Sequence, residues 1–282
     1  MLMVDMEGGA KLLIGGIHMA GTNKALGQHW LKNRAILNEI ADLAAEGSAH
    51  DFSDKTEVKR EKQPLCVEIG PGLGYLTASL LKRFDRVIAV EFDTRLAENL
   101  PGSFPGTKLE VVNGDILKYD FADLMEPYVV AGNIPYYITS PIIEKVLTAE
   151  KLPERVVLLM QKEVAERILS DKETVLSLFV KNRALVVAGP VVVAAEFTPP
   201  PKVDSQVVVM EPFASGPVVG EEVFGLIRRG FASPRKKLVH NLAGLGSIDE
   251  LKRMLMSIGL SPDARPGDLH LEDWGKLYKM MQ

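Results

Sequence analysis

Short apolar runs alternate with amphipathic ones from residue 34 to Pro212, and beyond Pro212 only the helical period remains. The apolar runs Leu65 to Ile69, Arg86 to Glu91, Lys108 to Asn113, Pro127 to Gly132, Glu154 to Gln161 and Ser205 to Met210 have the length and bulk of strands. Between them, Arg34 to Glu46, Tyr75 to Arg83 and Lys162 to Leu169 carry the helical spacing, the first behind Asn33 as N-cap and another helix beginning at Ser140-Pro141. Ala184 to Val187 and Val191 to Phe197, divided by Gly189-Pro190, predict a strand or hairpin at a sheet edge. Such alternation implies an α/β fold with a doubly wound, Rossmann-like, mostly parallel sheet of about seven strands.

After Pro212 the pattern predicts helices over Glu221 to Phe231, Pro234 to Leu242, Ile248 to Ile258 and Leu269 to Met280. The expected organisation is therefore a loosely ordered leader over 1–21, a ligand-binding domain over 22–212 and a small helical domain over 213–282. Residues 47–63 are dense in charge and predict a solvated linker. The leader's apolar pieces are interrupted by glycines and too short to span a bilayer, so no membrane association is expected.

Composition narrows the function classes. Hydrophobic residues make up 46% of the 282 and charged residues 25%, as in soluble globular proteins. Cys66 is the only cysteine, which excludes an internal disulfide and a multi-cysteine metal site and fits a reducing cytoplasm; no metal is expected. With 33 basic against 37 acidic residues, the net charge of −4 argues against wholesale coating of nucleic acid. Yet Arg228, Arg229, Arg235, Lys236 and Lys237 lie close together with no acid between Arg228 and His240. That patch could dock a phosphate backbone, or be a solvated helix face.

The chemistry gathers at strand ends. Gly70-Pro71-Gly72-Leu73-Gly74 follows the first strand of the sheet, and Glu91 ends the next. Glycines there let a ligand approach the backbone, and an acid about 20 residues on is placed to accept ribose hydroxyls. Gly-x-Gly-x-Gly lacks the spacing that grips a dinucleotide diphosphate, so it favours S-adenosylmethionine over NAD. Asp115, after the third strand, could accept from an adenine amino group while Ile116 packs on the ring; as a plain helix cap it would do neither.

Asn133-Ile134-Pro135-Tyr136 leaves the fourth strand and combines an amide acceptor, a rigid turn and an aromatic face. Those parts can hold a planar base by its exocyclic amine, although Asn before X-Pro is also a common turn. Phe197 begins the stiff Thr198-Pro199-Pro200-Pro201 loop, which could present its ring to a ligand or simply connect strands around a buried Phe. Thr22 to Leu31 could lie across the ligand, or lead into a helix with Trp30 and Leu31 filling the core.

Together, Leu26 to Leu31, Val67 to Gly74, Glu91, Gly114-Asp115, Asn133 to Tyr136, Leu159 to Ala165 and Phe197 to Ser205 resemble the ribosomal RNA adenine dimethyltransferases of the KsgA type. The resemblance covers about residues 22–282. It implies a class I methyltransferase fold and S-adenosylmethionine-dependent N6,N6-dimethylation of two adjacent adenosines in the 3′-terminal hairpin loop of 16S rRNA, with S-adenosylhomocysteine as product. The expected substrate is the immature small subunit, and the expected enzyme is a cytoplasmic monomer. By resemblance, His29, Leu31, Gly70, Glu91, Asp115 and Asn133 contact the cofactor, and Tyr136 and Phe197 sandwich the target base. Gly72 and Ile116 complete the expected cofactor set, and Asn133 through its side-chain carbonyl, with the Ile134 or Pro135 backbone carbonyl, could accept the two N–H groups of the amine. The chain departs from the family's usual pattern in having Trp30 for Phe and Pro234-Arg235-Lys236 for a fuller basic run. Two other readings share parts of this logic: a resistance-type 23S rRNA adenine methyltransferase, and a ribosome-assembly factor whose methyl transfer is secondary. A nicotinamide-dependent oxidoreductase is more distant.

Overall fold

A computed structural model describes residues 28–46 and 63–282; the expected leader and most of the expected linker lie outside these. Seven strands form one sheet: β2 (Gln63–Ile69), β3 (Phe84–Glu91), β4 (Leu109–Asn113), β5 (Val129–Asn133), β6 (Arg155–Gln161), β7 (Ala184–Val192) and β9 (Ser205–Pro212). Their order is β4-β3-β2-β5-β6-β9-β7, with β9 antiparallel to both its neighbours and the rest parallel. A separate ribbon pairs β1 (Trp30–Leu31) with β8 (Phe197–Thr198).

The period of two in the strand sequences divides the core. Val67 and Ile69 of β2, Val130 of β5, Leu158 and Met160 of β6, and Val208 and Met210 of β9 face one apolar cluster. Their neighbours Cys66, Val129, Ala131, Val157, Leu159, Val207 and Val209 face the other. Strands buried on both sides read as near-continuous apolar runs, which is why this sheet was visible in the sequence. Helices α1 (Arg34–Ala45) and α2 (Tyr75–Leu80) cover the second cluster through Leu37, Ile40, Leu76 and Leu80. On the opposite face lie α4 (Thr139–Leu147), α5 (Lys162–Leu169) and α6 (Val175–Lys181), contributing Ile142, Ile143, Ile168 and Leu178. A short α3 (Thr94–Asn99) links β3 to β4. As expected, Asn33 caps α1, its side chain accepting from the Ala35 and Ile36 amides.

The last seventy residues carry α7 (Glu221–Gly230), α8 (Leu238–Asn241), α9 (Ile248–Ser257) and α10 (Leu271–Met280). Phe224, Ile227, Leu238 and Trp274 belong to the same apolar cluster as the α4–α6 face of the sheet. A second tie is polar. Buried Glu173 accepts from Ser177 Oγ at 2.6 Å and Lys181 Nζ at 2.8 Å, and lies 3.2 Å from Nδ1 of His270, which opens α10.

Of the strand or hairpin expected at the edge, the single strand forms: β7 runs through Gly189-Pro190, with the register shifting between Ala188 and Val191. A proline is tolerated there because β7 is the sheet edge, where a missing N–H leaves no ladder bond unmade. Phe197 therefore belongs to the β1–β8 ribbon rather than to that edge. The helix expected from Pro234 to Leu242 shrinks to α8, because turns occupy the preceding residues and the Asn241 side chain donates to the Ser233 carbonyl at 3.1 Å.

Candidate active site

The carboxyl ends of β2, β3 and β5 open onto a cavity of about 300 Å³, placed where open α/β sheets hold ligands. Gly70, Gly72, Glu91, Asp115, Ile116, Asn133, Pro135, Tyr136, His29 and Leu31 all line it, so the sheet brings ten of the expected residues together.

The glycine turn is built for close approach. Gly70, Gly72 and Gly74 have φ of 64°, 56° and 81°, a region that other residues enter only with strain. A Cβ on Gly70 would meet no atom within 4 Å, so a side chain there would fill cavity space that glycine leaves open. At Gly72 the limit comes from above, since a Cβ would lie 3.2 Å from Nε1 of Trp30. The indole thus roofs the turn.

Glu91 ties this turn to β3. One carboxylate oxygen accepts from the Gly72 amide at 2.9 Å and the other from the Asp93 amide at 2.8 Å. A carboxylate offers about four acceptor positions, so two remain for hydroxyls on a ligand. Burial pushes the Glu91 carboxyl above its usual range, and the Asp93, Gly72 and Phe92 backbone amides partly offset this. Asp115 accepts from the Leu117 amide at 3.0 Å as a cap and also borders the cavity beside Ile116.

Asn133 ends β5. Its Nδ2 donates to the His29 carbonyl at 3.0 Å. A carbonyl can only accept, so the amide orientation is fixed and Oδ1 is left as an acceptor. Next to it, the Pro135 carbonyl accepts from the Ile138 amide at 3.3 Å, closing a short turn that holds Tyr136 at the cavity wall. The Tyr136 hydroxyl is 2.7 Å from Ser205 Oγ, and its ring lies 6.0 Å from that of His29, with 19° between planes. His29 Nδ1 in turn donates to the Pro199 carbonyl at 2.7 Å.

Phe197 is the exception. It does not line the cavity but is 3% exposed in the apolar cluster, opposite Leu31 across the ribbon. The proline loop presents its Pro199 carbonyl to His29 instead of an aromatic ring to the pocket. Leu31 answers both sequence alternatives at once, lining the cavity while 2% exposed in the core.

Glu68 was missed. It lies in the cavity floor at 1% exposure and accepts from Thr77 Oγ1 at 2.6 Å. Burial pushes its carboxyl to about 8, with nearby Glu91 adding to the rise and Thr77 opposing it. An acid inside an apolar strand was the available signal.

Arg228, Arg229, Arg235, Lys236 and Lys237 are all exposed. Arg228 pairs with Glu221 and Lys237 with Asp263, in surface pairs of the sort that contribute about 0–1 kcal/mol. Among the described residues no His, Cys, Asp and Glu group of three or more could hold a metal, and no helix is long and apolar enough to cross a membrane.

Comparison with known proteins agrees with this geometry. Residues 19–282 match the sequence model of the family described as ribosomal RNA adenine dimethylase. The chain is 35% identical over 275 residues to "Ribosomal RNA small subunit methyltransferase A" of Thermosynechococcus vestitus, covering 94% of this chain and 98% of that protein. The protein of the same name from Geobacter metallireducens is 35% identical, with 92% and 94% covered. Among solved structures, a dimethyladenosine transferase from Plasmodium falciparum superposes with a TM-score of 0.69 at 28% identity, covering 88% of this chain and 96% of that one. The 23S rRNA methyltransferase ErmE does so with 0.70 at 25%, covering 89% and 99%.

Proposed function

The chain belongs to the ribosomal RNA adenine dimethylase family, and on that premise we propose which residues perform its reaction and on which RNA. Its activity is S-adenosylmethionine-dependent dimethylation of adenine in ribosomal RNA. The target we propose is the pair of adjacent adenosines in the 3′-terminal hairpin loop of 16S rRNA, within the immature small subunit. The enzyme acts as a cytoplasmic monomer. The small-subunit methyltransferases that share about a third of its residues support this choice over a large-subunit target.

Bound in the cavity, S-adenosylmethionine supplies an electrophilic methyl on a sulfonium. Glu91 would accept its ribose hydroxyls and Asp115 its adenine amino group, Ile116 would pack on the ring, and Gly70 and Gly72 leave the backbone accessible. His29 and Leu31 would complete the wall of the cavity.

The observation that carries the mechanism is the hydrogen bond from Asn133 Nδ2 to the His29 carbonyl. It leaves Oδ1 to accept one N–H of the adenine N6 amine, and the Ile134 or Pro135 carbonyl accepts the other. An N6 lone pair is delocalised into the purine and attacks poorly until the amine is held and pyramidalised. Alignment of this kind can supply ~7–11 kcal/mol in favourable cases. No protein base is needed, because the methylated ammonium is acidic enough to release its proton to water.

Extruding the adenosine from its stack costs a few kcal/mol, and stacking on an aromatic returns ~1–3 kcal/mol per base. Tyr136 provides that face. Phe197, buried within the ribbon opposite Leu31, supports that residue and so the wall of the pocket. Arg228, Arg229, Arg235, Lys236 and Lys237 dock the RNA backbone.

Incubation of the protein with labelled S-adenosylmethionine and immature small subunits, followed by mass analysis of the RNA, tests the assignment. Dimethyladenosine at two adjacent positions of 16S rRNA is the expected product. Transfer confined to large-subunit rRNA would overturn the target.

A further inference from the structure

Ser205 is fully buried, at 0% exposure, and begins β9 directly after the proline loop. Its backbone is held on both sides, in register with Gln161 of β6 and Val192 of β7. It does not line the cavity, yet its hydroxyl lies 2.7 Å from the phenol of Tyr136, 69 positions earlier in the chain. Tyr136 meanwhile stands on a backbone that Pro135 stiffens, with the His29 ring nearly parallel to its own. The ring is thus fixed at its base by the turn and at its far end by a strand in the sheet.

We propose that Ser205 is a positioning residue for methyl transfer: its hydrogen bond sets the plane of the Tyr136 ring before the flipped adenine arrives. A ring free to rotate would have to be ordered by each incoming base, and that ordering is subtracted from the stacking free energy. Only the flipped base meets the Tyr136 ring, while the rest of the RNA is held elsewhere, so the effect falls on turnover rather than on apparent affinity. This inference rests on the role given to Tyr136 above.

Ser205→Ala and Tyr136→Phe each delete the same hydrogen bond from opposite ends. Loss of one neutral hydrogen bond predicts a fall in kcat of about three- to tenfold for either variant, with KM for the RNA substrate and Kd for S-adenosylmethionine within about twofold. The double variant is no slower than the slower single one, since the bond can be lost only once. Losses that multiply would assign Ser205 to strand stability, and a fully active Tyr136→Phe would overturn the proposal even if Ser205→Ala failed to fold.

A readout independent of methylation is the 13Cζ resonance of Tyr136 in the unliganded protein, which reports the phenol's hydrogen bond. It shifts in Ser205→Ala if the bond exists in solution; an unmoved resonance in folded protein would overturn the inference. Were the wild type to leave 16S rRNA unmodified while this resonance moved, the target assignment would fail and the Ser205–Tyr136 bond would stand.

Discussion

Asn133 and His29 are 104 positions apart, yet the side-chain amide of one donates to the main-chain carbonyl of the other across 3.0 Å. The bond converts a freely rotating amide into a fixed acceptor. Asn133→Ala is expected to lower kcat by more than about a hundredfold, through loss of alignment, while S-adenosylmethionine affinity falls far less. Single-turnover methylation and calorimetry separate the two quantities. Equal losses would make Asn133 part of the cofactor pocket alone.

Glu91 accepts two backbone amides and is assigned two ribose hydroxyls. Glu91→Gln sets an NH2 against one of those amides and removes an acceptor from the ligand. S-adenosylmethionine Kd should rise about ten- to a hundredfold, as for the loss of charge-assisted hydrogen bonds. Calorimetry measures this directly, and unchanged affinity would move the ribose elsewhere.

Glu68 makes stability pH-dependent. In the unfolded chain its carboxyl ionises near the ordinary value of 4.5, whereas in the fold it does so only at about 8. The folded state therefore holds an extra proton between these values, and unfolding free energy falls as pH rises through the window. Below it the penalty vanishes; above it the penalty is complete, on the order of a few kcal/mol. Glu68→Gln, which keeps an acceptor for Thr77 but cannot ionise, should gain Tm relative to wild type from pH 5 to pH 8. A difference in Tm that stays constant with pH would mean the carboxyl titrates normally.

The exposed patch is tested by salt. Replacing Arg235, Lys236 and Lys237 with Ala should weaken binding to the RNA hairpin and reduce the slope of log K against log salt by about 0.7–0.9 for each phosphate that is no longer neutralised. An unaltered slope would assign these cations to solvent.

What the sequence disclosed follows from the range of the forces involved. Gly70 to Gly74, Glu91 and Asn133 are set by local backbone at strand ends, so their spacing marked them as candidates and the family resemblance gave them roles, and the two-sided burial of β5 and β6 left an apolar signature. The direction of the Phe197 ring was not legible, because it depends on pairing with Leu31 across a ribbon whose halves are some 166 positions apart. The same holds for His29 with Pro199 and Tyr136 with Ser205. Gly189-Pro190 left a strand and a hairpin both open for another reason: as punctuation it signals a break, and only its place at the edge of the sheet lets one strand run through it. Glu68 could have been noticed as an acid within a buried strand, but its partner Thr77 lies in the helix that follows the glycine turn.

The position of β9 between β6 and β7 has a consequence for how the protein is made. As the chain leaves the ribosome, β7 emerges before the strand that joins it to the sheet, and the Pro199 carbonyl and Ser205 hydroxyl arrive later than the side chains they restrain. A translation intermediate halted near Val192 would own the glycine turn, Glu91 and Asn133, but neither the ribbon partner of Trp30 nor the anchor of Tyr136. Newly synthesised enzyme thus acquires its complete pocket only after about three quarters of its translation, when β9 slots into place.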